Sequence, residues 1–266
     1  VLNKNQNNIF NSLIKSWRKN YLKPALISGI SGSGKTIVYI KTIEHFLKQD
    51  KEIIVLVPEI SQINQTYKNL NNFYPNKVGI WHSKLKQTEK NYVLHNINSK
   101  KIKIIVSTRS GLFMPFQDLG LIIINEEQDA SYKQELNSPF YHSRDVALMR
   151  SKFNKNSLLL ISSVPSIETY YNVKNNKYSN YWLENNNSKI PNVELVAMEH
   201  QKGMLSKTLI TKIQDRLNKK EQIILLQNKK GLIGSGTQKV EDVLYKIFPN
   251  IKILRYDRDT LNKTSK

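Results

Sequence analysis

The segment Gly29 to Thr36, G-I-S-G-S-G-K-T, constrains this chain more than any other stretch. It matches G-x-x-x-x-G-K-[ST], a loop whose glycines let the backbone curl until several N–H groups converge on a phosphate chain. Gly29, Ser31, Gly32, Ser33 and Gly34 supply that backbone. Lys35 can reach the β- and γ-phosphates, and the Thr36 hydroxyl can ligate Mg²⁺. The context fits: the strand-like A-L-I-S precedes the loop, and a helical run from Thr36 aims its N-terminus at the anion. Such a loop works only between a buried strand and a helix, so the chain is expected to be an α/β protein with a parallel sheet.

The rest of the chain carries that alternation. Short apolar runs predict strands at 25–28, 53–57, 103–107, 121–124 and 158–162, with helices at 36–48, 62–73, 89–97 and 142–153. A polar, aperiodic stretch at 185–191 ends in proline and is expected to link two lobes, 1–184 and 192–266. In the second lobe the pattern predicts strands at 193–196, 222–226 and 251–254 and helices at 207–219 and 240–247, too few for a complete lobe.

An acidic partner for the loop is expected at the end of a neighbouring strand. L-I-I-I-N-E-E-Q-D, from Leu121, supplies it. Glu126 is placed to polarise an attacking water, and Asn125 occupies the position expected to hold Mg²⁺, with a neutral amide in place of a charge.

Composition bounds the remaining choices. Of 266 residues, 41 are Lys or Arg and 21 are Asp or Glu, a net charge of +20. That surplus suits a polyanionic partner such as nucleic acid. The same Lys-, Asn- and Ile-rich usage is also what an AT-rich coding sequence imposes, so charge leaves both readings open. Cysteine is absent, which excludes disulfides and thiolate zinc sites. No apolar run approaches the ~20 residues needed to span a bilayer. A cytoplasmic protein without a membrane partner is expected.

Several further motifs carry a family resemblance. G-I-S-G-S-G-K-T-I-V-Y resembles the G-x-T-G-S-G-K-T-E-V-Y of the primosomal protein N′ family, the PriA-type replication-restart DNA helicases of superfamily 2. L-V-P-E-I-S-Q-I-N-Q from Leu56, W-H-S-K-L from Trp81 and S-T-R-S-G-L-F-M-P-F from Ser107 are similar to family motifs in family order. N-E-E-Q-D-A-S-Y-K-Q-E resembles D-E-E-H-D-x-S-Y-K-Q-E, and F-Y-H-S-R-D-V-A resembles R-Y-H-A-R-D-x-A. L-L-Q-N-K-K-G, G-S-G-T-Q-K-V-E-D-V-L and R-Y-D-R-D-T extend the match toward Thr260.

The resemblance implies a RecA-like ATP-binding lobe followed by an incomplete second one. It implies an ATP- and Mg²⁺-dependent 3′-to-5′ helicase acting on single-stranded or forked DNA, with other primosome proteins as partners. Gln6 falls where the family reads adenine. Residues 131–144 match the aromatic-rich loop that couples DNA binding to hydrolysis. Tyr132, Phe140 and Tyr141 offer stacking faces there, and Lys133 and Arg144 offer phosphate contacts, unless these aromatics pack on the core. Arg109 contacts the DNA backbone or serves as a buried structural arginine.

The departures are specific. Asn125 and Gln128 stand where the family has a metal ligand and a coupling histidine. In I-S-S-V-P-S, Val164 stands where the family has a hydroxyl. The family's cysteine-rich zinc insert is missing, only Leu232 and Ile233 separating Gly231 from Gly234. The N-terminal DNA-binding domain and the arginine-bearing motifs of the second lobe are not in the sequence. An alternative is therefore a catalytically impaired nucleotide- or DNA-binding remnant of such a helicase. A P-loop ATPase unrelated to DNA fits the motifs less well.

Overall fold

A computed structural model describes residues 2–20, 22–135, 138–184, 192–198, 203–226 and 237–255. The chain divides into two compact units, Val1–Lys189 and Ile190–Lys266. The expected linker at 185–191 lies outside the described residues.

The first unit begins with α1 (Lys4–Lys19), which the apolar-run reading did not assign. Asn3 and Gln6 close a reciprocal capping box at its start. Its buried residues Gln6, Ile9, Leu13, Ile14 and Trp17 recur at helical spacing. The sheet strands then alternate with helices: β1 (Ala25–Ser28), α2 (Lys35–Leu47), β2 (Glu52–Leu56), α3 (Ile60–Phe73), β3 (Val78–Trp81), α4 (Gln87–Asn98) and β4 (Ile104–Ser107). After β5 (Leu119–Asn125), the two-residue strands β6 (Lys133–Gln134) and β7 (Tyr141–His142) form a separate hairpin. The unit closes with α5 (Ser143–Asn154), β8 (Ser157–Ser162), α6 (Ile167–Lys174) and β9 (Ser179–Trp182).

Seven strands form one sheet in the order β3-β4-β2-β5-β8-β1-β9, parallel at every pairing. The fold class is therefore the expected α/β one. Both faces are covered, which is why the strands are continuously apolar. Ile53 and Val55, Leu121 and Ile123, Leu159 and Ile161 pack on the α1–α3 face. Their neighbours Ile54, Ile122, Ile124, Leu158 and Leu160 pack on the other, with Phe116 and Ala147. The two strands not expected, V-G-I-W and S-N-Y-W, lie at the sheet edges. An edge strand is covered less completely, so it needs no unbroken apolar run.

In the second unit, α7 (Lys207–Asn218) and α8 (Thr237–Ile247) form as expected. The three strands expected beside them do not: residues 193–196, 222–226 and 251–254 pair into no sheet among the described residues. Burial gives the reason. Ile223, Ile251 and Ile253 pack against the helices, in a small core around Ile213, Leu244 and Phe248. Their neighbours Ile224, Leu226 and Leu254 are 94%, 98% and 83% exposed. A parallel sheet requires cover on both faces, and the described residues supply one. No helix among the described residues is long and apolar enough to cross a membrane.

Candidate nucleotide site and its neighbouring loop

Parallel strands put all their C-terminal ends on one edge of the sheet, where α/β proteins place ligands. The loop after β1 and the acidic turn after β5 both emerge there. Gly32 and Gly34 adopt φ values of +78° and +89°, the left-handed region open to glycine. Gly34 also tolerates no side chain for a second reason, since a Cβ there would lie 2.2 Å from the Gln6 amide nitrogen. Gly34 caps α2, so the helix starts at Lys35 and points its free N–H groups at the loop. Ser31 and Thr36 are exposed, and Ser33 is buried with an Oγ that has no hydrogen-bond partner.

Lys35 is buried at the head of α2. Its ammonium donates to the Gly29 carbonyl at 2.5 Å, the Ile30 carbonyl at 3.0 Å and the Ser163 hydroxyl at 3.2 Å. The cation is folded onto its own loop's carbonyls, weaker acceptors than a phosphate. Burial lowers its pKa, and the field of Glu126 opposes the shift. An unpartnered buried hydroxyl, glycine curvature and a lysine held at the loop fit a phosphate chain.

Glu126 sits in the turn after β5 with φ +51°. Gln128 Nε2 donates to its carboxylate at 2.9 Å, and Ser162 at the end of β8 donates to Gln128 Oε1 at 2.5 Å. The turn between β5 and the aromatic loop is thus tied to the end of β8 through Gln128, one of the departures from the family pattern. Asn125 is half-buried, and its backbone carbonyl accepts the Tyr132 hydroxyl at 2.6 Å. For Mg²⁺ the donor set is lean, because Asn125 offers a neutral oxygen where a carboxylate binds best.

Gln6 lies beside this loop, and its Oε1 is occupied, accepting the Asn3 N–H at 2.9 Å. Only its amide group remains over Gly34.

The loop after β5 departs from the expected DNA contacts at two residues. Tyr132 has 0% of its surface exposed and offers no stacking face. Its hydroxyl is spent on Asn125, and burial raises its pKa well above the ordinary phenol value. Arg144 is also buried, with NH1 donating to the Ser166 hydroxyl at 2.6 Å and lying 3.4 Å from the Glu127 carboxylate. It is a structural arginine in this conformation.

The other expected contacts stay at the surface. Phe140 is 71% exposed. Tyr141 meets Phe113 edge-to-face at 5.7 Å. Lys133 is exposed and pairs with Glu135 at 2.5 Å. Arg109 NH1 donates to the Lys133 carbonyl at 2.7 Å, which couples the Arg109 turn (Arg109–Phe113) to β6.

The residue missed from sequence is Glu127. It is 1% exposed. It accepts from the Ser166 N–H at 2.8 Å, the Ser166 hydroxyl at 3.0 Å and the Thr169 hydroxyl at 2.9 Å, besides Arg144. The available signal was S-I-E-T, a Ser and a Thr three apart at a helix start, beside the second glutamate of N-E-E-Q.

Residues 1–149 match the family model described as type III restriction enzyme, res subunit. The chain belongs to that family. It is 39% identical to the replication restart protein PriA of Rickettsia felis over 215 residues, covering 79% of this chain and 33% of the relative. It is 30% identical to replication restart protein PriA of Bacillus subtilis over 304 residues, covering 91% of this chain and 38% of the relative. The chain therefore spans about a third of the length of these relatives. The crystal structure of the E. coli DExH-box NTPase HrpB matches with a TM-score of 0.61 at 14% identity, covering 98% of this chain and 31% of that one. At that identity the likeness concerns the RecA-like fold alone.

Proposed function

We propose that this chain is the ATP-binding part of a replication-restart DNA helicase. The arrangement that carries the reading is the convergence of Lys35, Glu126, Gln128 and Ser162 at one edge of the sheet, beside a loop curved for phosphates. Residues 1–184 act as the first motor lobe and 192–266 as part of a second. The substrate is single-stranded or forked DNA, tracked 3′-to-5′, in the cytoplasm and with other primosome proteins. The similarity to the PriA relatives supports the DNA partner.

In this reading Lys35 leaves the Gly29 and Ile30 carbonyls and places its charge on the terminal phosphates. The loop's N–H groups, from Gly32 to Lys35, take the remaining oxygens, with the Ser33 hydroxyl as a further donor. Thr36 and Asn125 hold Mg²⁺, which screens phosphate charge when bound. Glu126 orients the attacking water and takes its proton. Gln128 holds that carboxylate and connects it through Ser162 to β8. Gln6 hydrogen-bonds the base through its free amide. Phe140, Tyr141, Lys133 and Arg109 form the exposed DNA contacts.

ATP binding and turnover, with and without single-stranded DNA, test the reading against Lys35→Ala. Losing a charge-assisted contact of ~1.5–3 kcal/mol lowers ATP affinity ~10- to 100-fold. Equal affinity in both proteins refutes the site. The second reading, a remnant that binds nucleotide without turning it over, is favoured by Asn125. Binding without DNA-stimulated turnover supports it.

A further inference from the structure

The opposite edge of the same sheet holds a recess with the makings of a second anion site. It has a volume of about 470 Å³ and lies where β5 and β8 begin and α1, α2 and α5 end. Because the strands are parallel, it is at the far end of the sheet from Gly29 and Glu126. Arg18, Lys51 and Lys155 line it, and among the described residues no carboxylate does. Asp118 feels the charge of Lys51 but is already bound to Lys100 at 2.8 Å.

Two features argue against a merely solvated basic surface. The first is the floor. Gly120, the second residue of β5, has no side chain, and a Cβ there would lie 2.6 Å from the Lys51 stem and 2.9 Å from the Phe46 ring. The glycine lets both side chains close over the strand, and Phe46 in turn meets Trp17 edge-to-face at 5.9 Å. The cations therefore border a hollow whose lining mixes Phe46 and Leu119 with Gln49 and Asn154. The second is the balance of charge. Three helix C-termini carry about half a negative charge each, roughly −1.5 in all, against three full positive charges. Dipole compensation accounts for about half of the positive charge and leaves the rest without a partner among the described residues.

We propose that this recess is a phosphate-binding site for a nucleic-acid strand, separate from the nucleotide loop. A chain of phosphodiesters supplies several anions at once, which suits three cations on different elements. The inference shares a DNA partner with the reading above and does not depend on its ATP site, so either can fail alone.

The test uses Trp17 as reporter. The chain has three tryptophans, so W81F/W182F leaves the one in the recess. Oligothymidylate of about 20 nucleotides and inorganic pyrophosphate are titrated in turn. The expected result is a saturable change in Trp17 emission with the oligonucleotide. It persists in Lys35→Ala and is lost in R18Q/K51Q/K155Q. Read separately by the anisotropy of an end-labelled oligonucleotide, the slope of log affinity against log salt falls by about 2 in that triple variant, about 0.7 for each phosphate contact removed. Loss of the signal in Lys35→Ala, or its survival in the triple variant, overturns the proposal. Saturation by pyrophosphate but not by the oligonucleotide also overturns it, since the site then takes a free anion.

Discussion

Replacing Glu127 by Ala removes the acceptor of three good hydrogen bonds and the partner of a buried guanidinium. Breaking a buried pair from one side costs ~3–5 kcal/mol, because the other charge stays behind uncompensated. Arg144 keeps some relief, since Glu168 lies 3.7 Å from its NH2 and Ser166 still accepts from NH1. Glu168 is 62% exposed, so its field is screened, and the cost falls near the lower end, about 3 kcal/mol. Against a typical total of ~5–15 kcal/mol this is a large fraction. The expected fall in Tm for a unit of this size is ~6–12 °C. Urea unfolding reads it as a lower midpoint at unchanged m. Adding Arg144→Met removes the stranded charge, so the double variant is less destabilised than the sum of the singles by ~1–3 kcal/mol. Additivity within about 0.5 kcal/mol refutes the pairing and returns Arg144 to the candidate DNA contacts.

Tyr132→Phe deletes the hydroxyl that binds the Asn125 carbonyl and leaves that acceptor unpaired, at ~1–3 kcal/mol by the same unfolding assay; a neutral result excludes the link between the loop and β5. Gly34→Ala meets both the positive φ and the Gln6 amide, so it destabilises by ~1–3 kcal/mol and weakens ATP binding; Gln6→Ala in that background relieves the contact but not the backbone strain. Asn125→Asp raises Mg²⁺-dependent ATP affinity, measured by titration with and without chelator, and no change removes Asn125 from the metal position. Burial raises the Tyr39 pKa to about 12 from an ordinary value of 10.0. The neutral phenol is the form favoured by folding. Its stabilisation is complete below pH 10 and is lost as pH rises to about 12, ~2–3 kcal/mol in all. Tyr39→Phe flattens that slope, and an unchanged alkaline profile contradicts the assignment.

The five central strands of the first unit were legible because each is buried on both faces and so spelled as an unbroken apolar run. The edges β3 and β9 were not, for the converse reason: V-G-I-W and S-N-Y-W are only partly covered, and glycine and polar residues interrupt them. Helix α1 was not legible because its buried Ile9, Leu13, Ile14 and Trp17 are scattered among polar residues and form no apolar run, although they recur at helical spacing. The phosphate loop was legible in full, since its glycines answer a backbone requirement that leaves few other residues possible. Tyr132 and Arg144 were the harder case. An aromatic and an arginine in a polar loop suit DNA, but the same residue types also bolt a loop to its lobe. What separates the two is burial, a property of the three-dimensional neighbourhood: Glu127, Ser166 and Thr169 around Arg144, and the apolar core that encloses Tyr132.

The same distinction bears on the departures Asn125, Gln128 and Val164. From sequence they remove a metal ligand, a coupling histidine and a hydroxyl, in that order. In the fold, the position lost at Val164 is 72% exposed, whereas Ser162, two residues earlier, already reaches the acidic turn through Gln128. A glutamine can do this because its amide both donates to Glu126 and accepts from Ser162. The bridge therefore depends on Gln128 having both functions at once. Gln128→Leu breaks both ends, Gln128→Glu keeps the acceptor but sets a carboxylate against Glu126, and Ser162→Ala breaks one end only. If the bridge transmits loop state to β8, single-stranded DNA and ATP bind cooperatively in the parent chain, and that coupling disappears in all three variants while Lys35-dependent ATP binding survives. Coupling retained in Gln128→Leu places the communication elsewhere, with the Tyr132–Asn125 and Arg144–Glu127 links as the next side-chain connections between the aromatic loop and the end of β5.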